Sequence, residues 1–92
     1  MARLLLANGT ERQVTPRNAR AGFTLPELYR LLSCTTVESG ALGEGYLIVD
    51  EDGKYTKHER NAEATRLLRA AGGAPADFVT GDALVVGARE LL

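Results

Sequence analysis

Gly45-Tyr46-Leu47-Ile48-Val49-Asp50-Glu51-Asp52-Gly53 decides the fold. Tyr46 to Val49 is an unbroken apolar run rich in strand-favouring side chains, and an Asp- and Gly-containing turn closes it. An uninterrupted run, rather than an alternating one, predicts an inner strand buried on both faces. A strand of that kind needs neighbours on both sides, and the rest of the chain should supply them.

Upstream, Gly40 to Gly45 reads as a flexible connector, and Cys34-Thr35-Thr36-Val37 reads as the start of a strand. Before it, Thr24-Leu25-Pro26-Glu27 has the form of a helix start. The Thr hydroxyl can accept from a first-turn amide, Pro is tolerated in that turn, and Glu27 completes a capping box. Leu25, Leu28, Leu31 and Leu32 then fall on one helical face, and the helix should end near Ser33. Residues 2–15 read as a hairpin: Arg3 to Ala7 leads in, Asn8-Gly9 is a two-residue type I′ signal, and Thr10 to Thr15 returns. Pro16 to Gly22 is a polar, Arg-rich connection.

Downstream, Lys54–Lys57 reads as a returning strand. Asn61 can cap a second helix running to about Ala71, with Ala64, Leu67, Leu68 and Ala71 at helical spacing and Gly72-Gly73 as the stop. Asp77–Thr80 reads as a short strand, Gly81-Asp82 as a turn, and Ala83 to Val86 as the last strand. The expectation is one α+β domain over 1–92. Its small mixed, mainly antiparallel sheet carries two helices in the order β-β-α-β-β-α-β, both packed on one face.

Composition narrows the class. Apolar residues make up 45% and charged residues 25%, which is globular usage rather than that of a disordered chain. Net charge is −1. That balance lacks the basic excess of a dedicated nucleic-acid binder and the acidic excess of a DNA mimic. The charges are nonetheless segregated. Residues 37–53 hold five acids and no base, and residues 54–69 hold five bases against two Glu. Such blocks can steer a partner. A single cysteine suits a reducing compartment, and the apolar run at 4–7 is too short for an export signal or a membrane span. A cytoplasmic protein without membrane contact is expected.

Candidate chemistry is sparse. Cys34 and His58 are the one thiol and the one imidazole, and a nucleophilic pair would need them within hydrogen-bond reach. Free cysteine is more often a small buried residue. Zinc requires three or four spaced ligands, which these two cannot supply. Asp50-Glu51-Asp52-Gly53 lacks the twelve-residue donor pattern of a calcium loop, since Lys54 and Lys57 intrude and its twelfth position is Asn61. A solvated hairpin tip is the simpler reading. The Gly40–Gly45 cluster has neither phosphate-binding frame, and Glu44 would repel phosphate. No Gly-x-Ser-x-Gly elbow is present. Arg12, Arg17 and Arg20 form a basic cluster that Arg60, Arg66 and Arg69 extend, with no aromatic but Phe23 near it for stacking.

Several of these stretches, taken together, resemble one family. They are Leu28-Tyr29-Arg30-Leu31-Leu32, Gly45 to Lys54, Asn61-Ala62-Glu63-Ala64-Thr65 with Leu68, and Phe78-Val79-Thr80-Gly81-Asp82-Ala83-Leu84-Val85-Val86-Gly87. The series is similar to short phage and mobile-element proteins grouped as domain of unknown function 3846. The likeness spans about residues 24–87, and Ser33 to Glu38 departs from the family's glycine-rich turn. It implies a phage or mobile-element accessory gene, and no catalytic residue.

These readings converge on a non-catalytic protein that needs no cofactor and works by binding a host or phage protein. A stoichiometric inhibitor of a bacterial defence system, of anti-CRISPR or anti-restriction type, is one such protein. The acidic tip Asp50, Glu51, Asp52 and the basic loop residues Arg17 and Arg20 are the candidate contacts. The alternative is a weak nucleic-acid-binding module using the Arg cluster. A homodimer through an open sheet edge is also compatible with the sequence.

Overall fold

The computed structural model describes residues 2–56, 59–73 and 76–91. Five strands form one antiparallel sheet: β1 (Ala2–Leu5), β2 (Glu11–Val14), β3 (Val37–Leu42), β4 (Gly45–Asp50) and β5 (Ala83–Gly87), in the spatial order β2-β1-β5-β4-β3. Helix α1 (Leu25–Leu32) joins β2 to β3. A one-turn helix α2 (Gly53–Thr56) and helix α3 (Ala62–Ala70) join β4 to β5. The fold is a small α+β fold, and the expected order of elements is present with α2 added.

The expectation for β4 holds. It is an inner strand, Ile48 is 1% exposed in one core and Leu47 is 4% exposed in another. The expectation for the helices does not. The two long helices lie on opposite faces of the sheet. Ala2, Leu4, Ile48, Leu84 and Val86 face α1 through Leu28 and Leu32. Leu5, Leu47 and Ala83 face α3 through Ala64, with Val79 beside them. Strand periodicity explains the division, because alternate residues of β1, β4 and β5 point to opposite faces and both sets are apolar. A sheet apolar on both faces requires cover on both.

Four local expectations are corrected. The β1–β2 loop has three residues, Ala7-Asn8-Gly9. The Gly9 amide donates to Leu6 O, the Leu6 amide donates to Thr10 O, and only Gly9 has positive φ there, at 94°. This is the type I turn with a left-handed glycine rather than type I′. Gly40 to Gly45 is no loose connector: β3 runs through Leu42, and Gly43-Glu44 alone make the turn. The segment after Asp50 turns into α2 instead of returning as a strand, and Lys57 lies outside the described residues. Asp77–Thr80 is no strand and makes a single bridge, from Thr80 to Arg60, because α3 rather than a strand lies beside it. The Thr65 hydroxyl accepts from Val79 N at 2.9 Å, and Asn61 N donates to Val79 O at 2.8 Å.

Helix α1 starts as its sequence predicts. Thr24 Oγ1 accepts from Glu27 N, and Glu27 Oε1 accepts from Thr24 N at 3.0 Å. It ends at Ser33, whose φ of 52° turns the chain toward β3. Leu25 departs from the predicted face and stands 55% exposed. Asn61 caps α3 and is the central polar tie of the fold. Only 1% exposed, it accepts from Ala64 N and donates to Leu5 O at 2.8 Å and Gly81 O at 3.0 Å. One side chain thus joins α3, β1 and the turn into β5.

Candidate protein-binding edge

The two outer strands differ in what they leave open. In β3, Glu38, Ser39, Gly40 and Ala41 are all exposed. The direction of their backbone groups follows from the turn. Gly43, with φ of 61°, occupies the first central position of a two-residue II′ hairpin. Leu42 and Gly45 then exchange hydrogen bonds, and the alternation makes Gly40 with Leu47 and Glu38 with Val49 the other bonded pairs. The Glu51 amide donates to Thr36 O at 3.2 Å, which is the bond that flanks a non-bonded Val37–Asp50 pair and confirms the phase. The amides and carbonyls of Val37, Ser39 and Ala41 therefore point away from the sheet, unmatched by any strand among the described residues.

A groove runs along each face beside this edge. On the α1 face, Val37 and Ser39 border a cavity of about 470 Å³ with Phe23, Leu25, Leu28 and Ile48. It is apolar because α1 covers β1, β5 and β4 and leaves its outer flank open. On the α3 face, Glu38 and Gly40 border a cavity of about 250 Å³ with Leu47, Val49, Glu51 and Phe78. Its far wall is built by stacking: Lys54 Nζ lies 4.9 Å and Arg60 Cζ lies 4.3 Å from the Phe78 ring centre. Lys54 is also paired with Asp77. That ammonium, with the Phe78 amide, holds the Asp77 carboxyl below its ordinary value. Glu38 and Glu51 have no cationic partner among the described residues. The α3-face groove is therefore acidic at its β3 lip.

The candidate contacts read from the sequence do not form one site. Asp50 ends β4, and Glu51 and Asp52 follow it, at the end of the sheet where Val49 faces Ala83 and Leu5 faces Ala83. Arg17 and Arg20 follow β2 at the opposite end, where Val14 faces Ala2. Asp50 is itself only 9% exposed, and its carboxylate accepts from Asp52 N at 2.9 Å and organises the turn into α2. The Asp50–Gly53 segment is therefore not a solvated hairpin tip. Of the acidic trio, Glu51 and Asp52 are exposed, and Asp50 and Glu51 border the groove.

Arg17 and Arg20 are exposed on a loop that Asn18 and Glu27 organise. Asn18 Oδ1 accepts from Arg20 N and Ala21 N, and Glu27 Oε2 accepts from Arg17 N at 2.8 Å. The Arg17 and Thr24 amides hold the Glu27 carboxyl below its ordinary value. The extension of the basic cluster is occupied elsewhere: Arg66 pairs with Glu63, Arg69 donates to Asp77 O, and Arg60 stacks on Phe78.

Cys34 is half-buried against the α1-face core, and His58, the one imidazole, lies outside the described residues. Among the described residues no group of three or more His, Cys, Asp or Glu could hold a metal ion, and no helix is long and apolar enough to cross a membrane. The edge itself escaped sequence reasoning because Glu, Ser, Gly and Ala are poor strand formers. The signal that could have found it is Gly43 followed by one residue between two short runs, the II′ turn pattern. No family model, curated protein or solved structure matches the chain.

Proposed function

We propose that this is a non-catalytic protein that acts by stoichiometric binding to another protein, through the outer edge of β3. The observation that carries the reading is the row of outward amides and carbonyls at Val37, Ser39 and Ala41, flanked by a groove on each face. An unpaired strand edge recruits an extended segment by completing its hydrogen bonds, and flanking grooves select alternate side chains. The resemblance to phage and mobile-element proteins gives that binding a setting: inhibition of a host defence protein by occupying it.

The test is a tagged pull-down from the natural host with the wild type and Ser39→Pro, with retained protein and nucleic acid both identified. Proline at Ser39 removes an outward amide and no bond to β4. A near-stoichiometric protein held by the wild type and released by Ser39→Pro is the expected result. Equal retention by both forms rejects the edge, and recovery of nuclease-sensitive material alone rejects protein binding in favour of nucleic acid.

A further inference from the structure

Building on that reading, we infer that the β3 edge takes an extended segment of a partner protein in which apolar and basic residues alternate, paired antiparallel to β3. The phase of the strand dictates the pattern. Residues of an added strand that lie opposite Val37, Ser39 and Ala41 exchange backbone bonds with them, and their side chains fall on the α1 face. That face offers Phe23, Leu25, Leu28 and Ile48, so these positions suit aliphatic side chains. Residues opposite Glu38 and Gly40 fall on the α3 face, beside Glu38 and Glu51. Their carboxylates have no cation among the described residues, so these positions suit lysine or arginine.

Charge also selects between a foreign segment and a second copy. A symmetric antiparallel pairing of two β3 strands that engages all three outward residues centres on Ser39. Glu38 then lies opposite the partner copy's Gly40 and diagonal to the partner's Glu38, on the order of 7–8 Å away. Both copies bring Glu51 to the same face. β3 holds no lysine or arginine to offset these acids. A basic-apolar segment makes the same backbone bonds and neutralises them.

The probes are two fluorescein-labelled peptides of about seven residues, a usual strand length, one alternating valine with lysine and one alternating valine with glutamate. Binding is read by anisotropy, and the amide shifts of the full chain by NMR. The valine–lysine peptide is expected to bind and to shift the Val37, Ser39 and Ala41 amides. The valine–glutamate peptide should bind about tenfold more weakly, since two cross-strand charge contacts change sign. Ser39→Pro, and independently Ala41→Pro, should abolish binding. Glu38→Lys with Glu51→Lys should reverse the preference.

Equal binding of the two peptides, lost in Ser39→Pro, overturns the stated chemistry while leaving the edge as the binding surface. Binding that persists in both proline variants, or no binding of either peptide, overturns the inference. A wild-type dimer in sedimentation that Ser39→Pro dissociates overturns the choice of a foreign segment. The broader reading fails separately, when Ser39→Pro still retains the natural partner.

Discussion

β2 and β3 are both outer strands of one sheet, yet they are built to opposite ends. β2 is four residues long, carries Glu11 and Arg12, and runs into Pro16 two residues past its end. Arg3 of β1 reaches across to Glu11 at 3.4 Å. Short length, charge of both signs and a nearby proline are the devices that keep an edge from pairing. β3 is six residues long, has one charge, and contains no proline, lysine or arginine. The difference teaches that edge protection is not uniform in this molecule. The protected edge closes the sheet, and the bare one leaves it extendable.

The comparison rests on both edges being held by a sound interior, and removing Asn61 tests that first. Asn61→Ala removes the Asn61 hydrogen bonds to Leu5 O and Gly81 O and the cap of α3. A lost cap of ~1 kcal/mol and two lost hydrogen bonds of ~1 kcal/mol each predict a loss of about 3 kcal/mol in urea denaturation. A loss under 1 kcal/mol, measured the same way, would show that the interior does not depend on this residue.

Glycine substitutions then separate the edges. A Cβ on Gly45 would stand 2.1 Å from Val86 O, so Gly45→Ala must push β4 from β5 and should cost about 3 kcal/mol. Gly9 meets nothing within 4 Å and suffers only from its φ of 94°, so Gly9→Ala should cost about 1 kcal/mol. Equal costs would place the β1–β2 turn under the same packing constraint as the β3–β4 hairpin.

Proline scanning within β3 is the next sharpening. Gly40→Pro removes a donor to β4 and should cost about 3 kcal/mol, whereas Ser39→Pro removes an outward amide and should cost ~1 kcal/mol or less. Amide exchange should show the same phase, with Glu38, Gly40 and Leu42 slower than Val37, Ser39 and Ala41. The reverse order would invert the edge and with it the binding pattern.

The smallest effect is that of acid on the β2 side. Glu27 ties the loop after β2 to α1, and its carboxyl lies below its ordinary value of 4.5 because the Arg17 and Thr24 amides donate to it. A carboxyl lowered by folding contributes stability that is complete above its unfolded value and is lost as pH falls through the folded one. Stability followed from about pH 7 to about pH 3 should therefore decline at the acid end, and Glu27→Gln should flatten that decline. An unchanged slope in Glu27→Gln would assign the acid loss to other groups, Asp77 beside Lys54 first among them.

The local pieces are legible in the chain's own chemistry. Capping chemistry sits within a few residues, so Thr24 with Glu27, Ser33, and Asn61 with Gly72 mark the helix ends correctly. The apolar run Tyr46–Val49 announced an inner strand because burial on both faces leaves no polar position to alternate with. Only the tertiary structure decided which elements face one another. It placed α1 and α3 on opposite faces, because which helix covers which apolar face depends on the strand order that brings β1, β4 and β5 side by side. It set Asp50–Asp52 and Arg17–Arg20 at opposite ends of the sheet. It also turned Val37–Leu42 into a strand, because pairing with β4 supplies backbone bonds that outweigh the weak strand preference of Glu, Ser, Gly and Ala. The binding edge belongs to this second class, since an edge is defined by the neighbour a strand lacks.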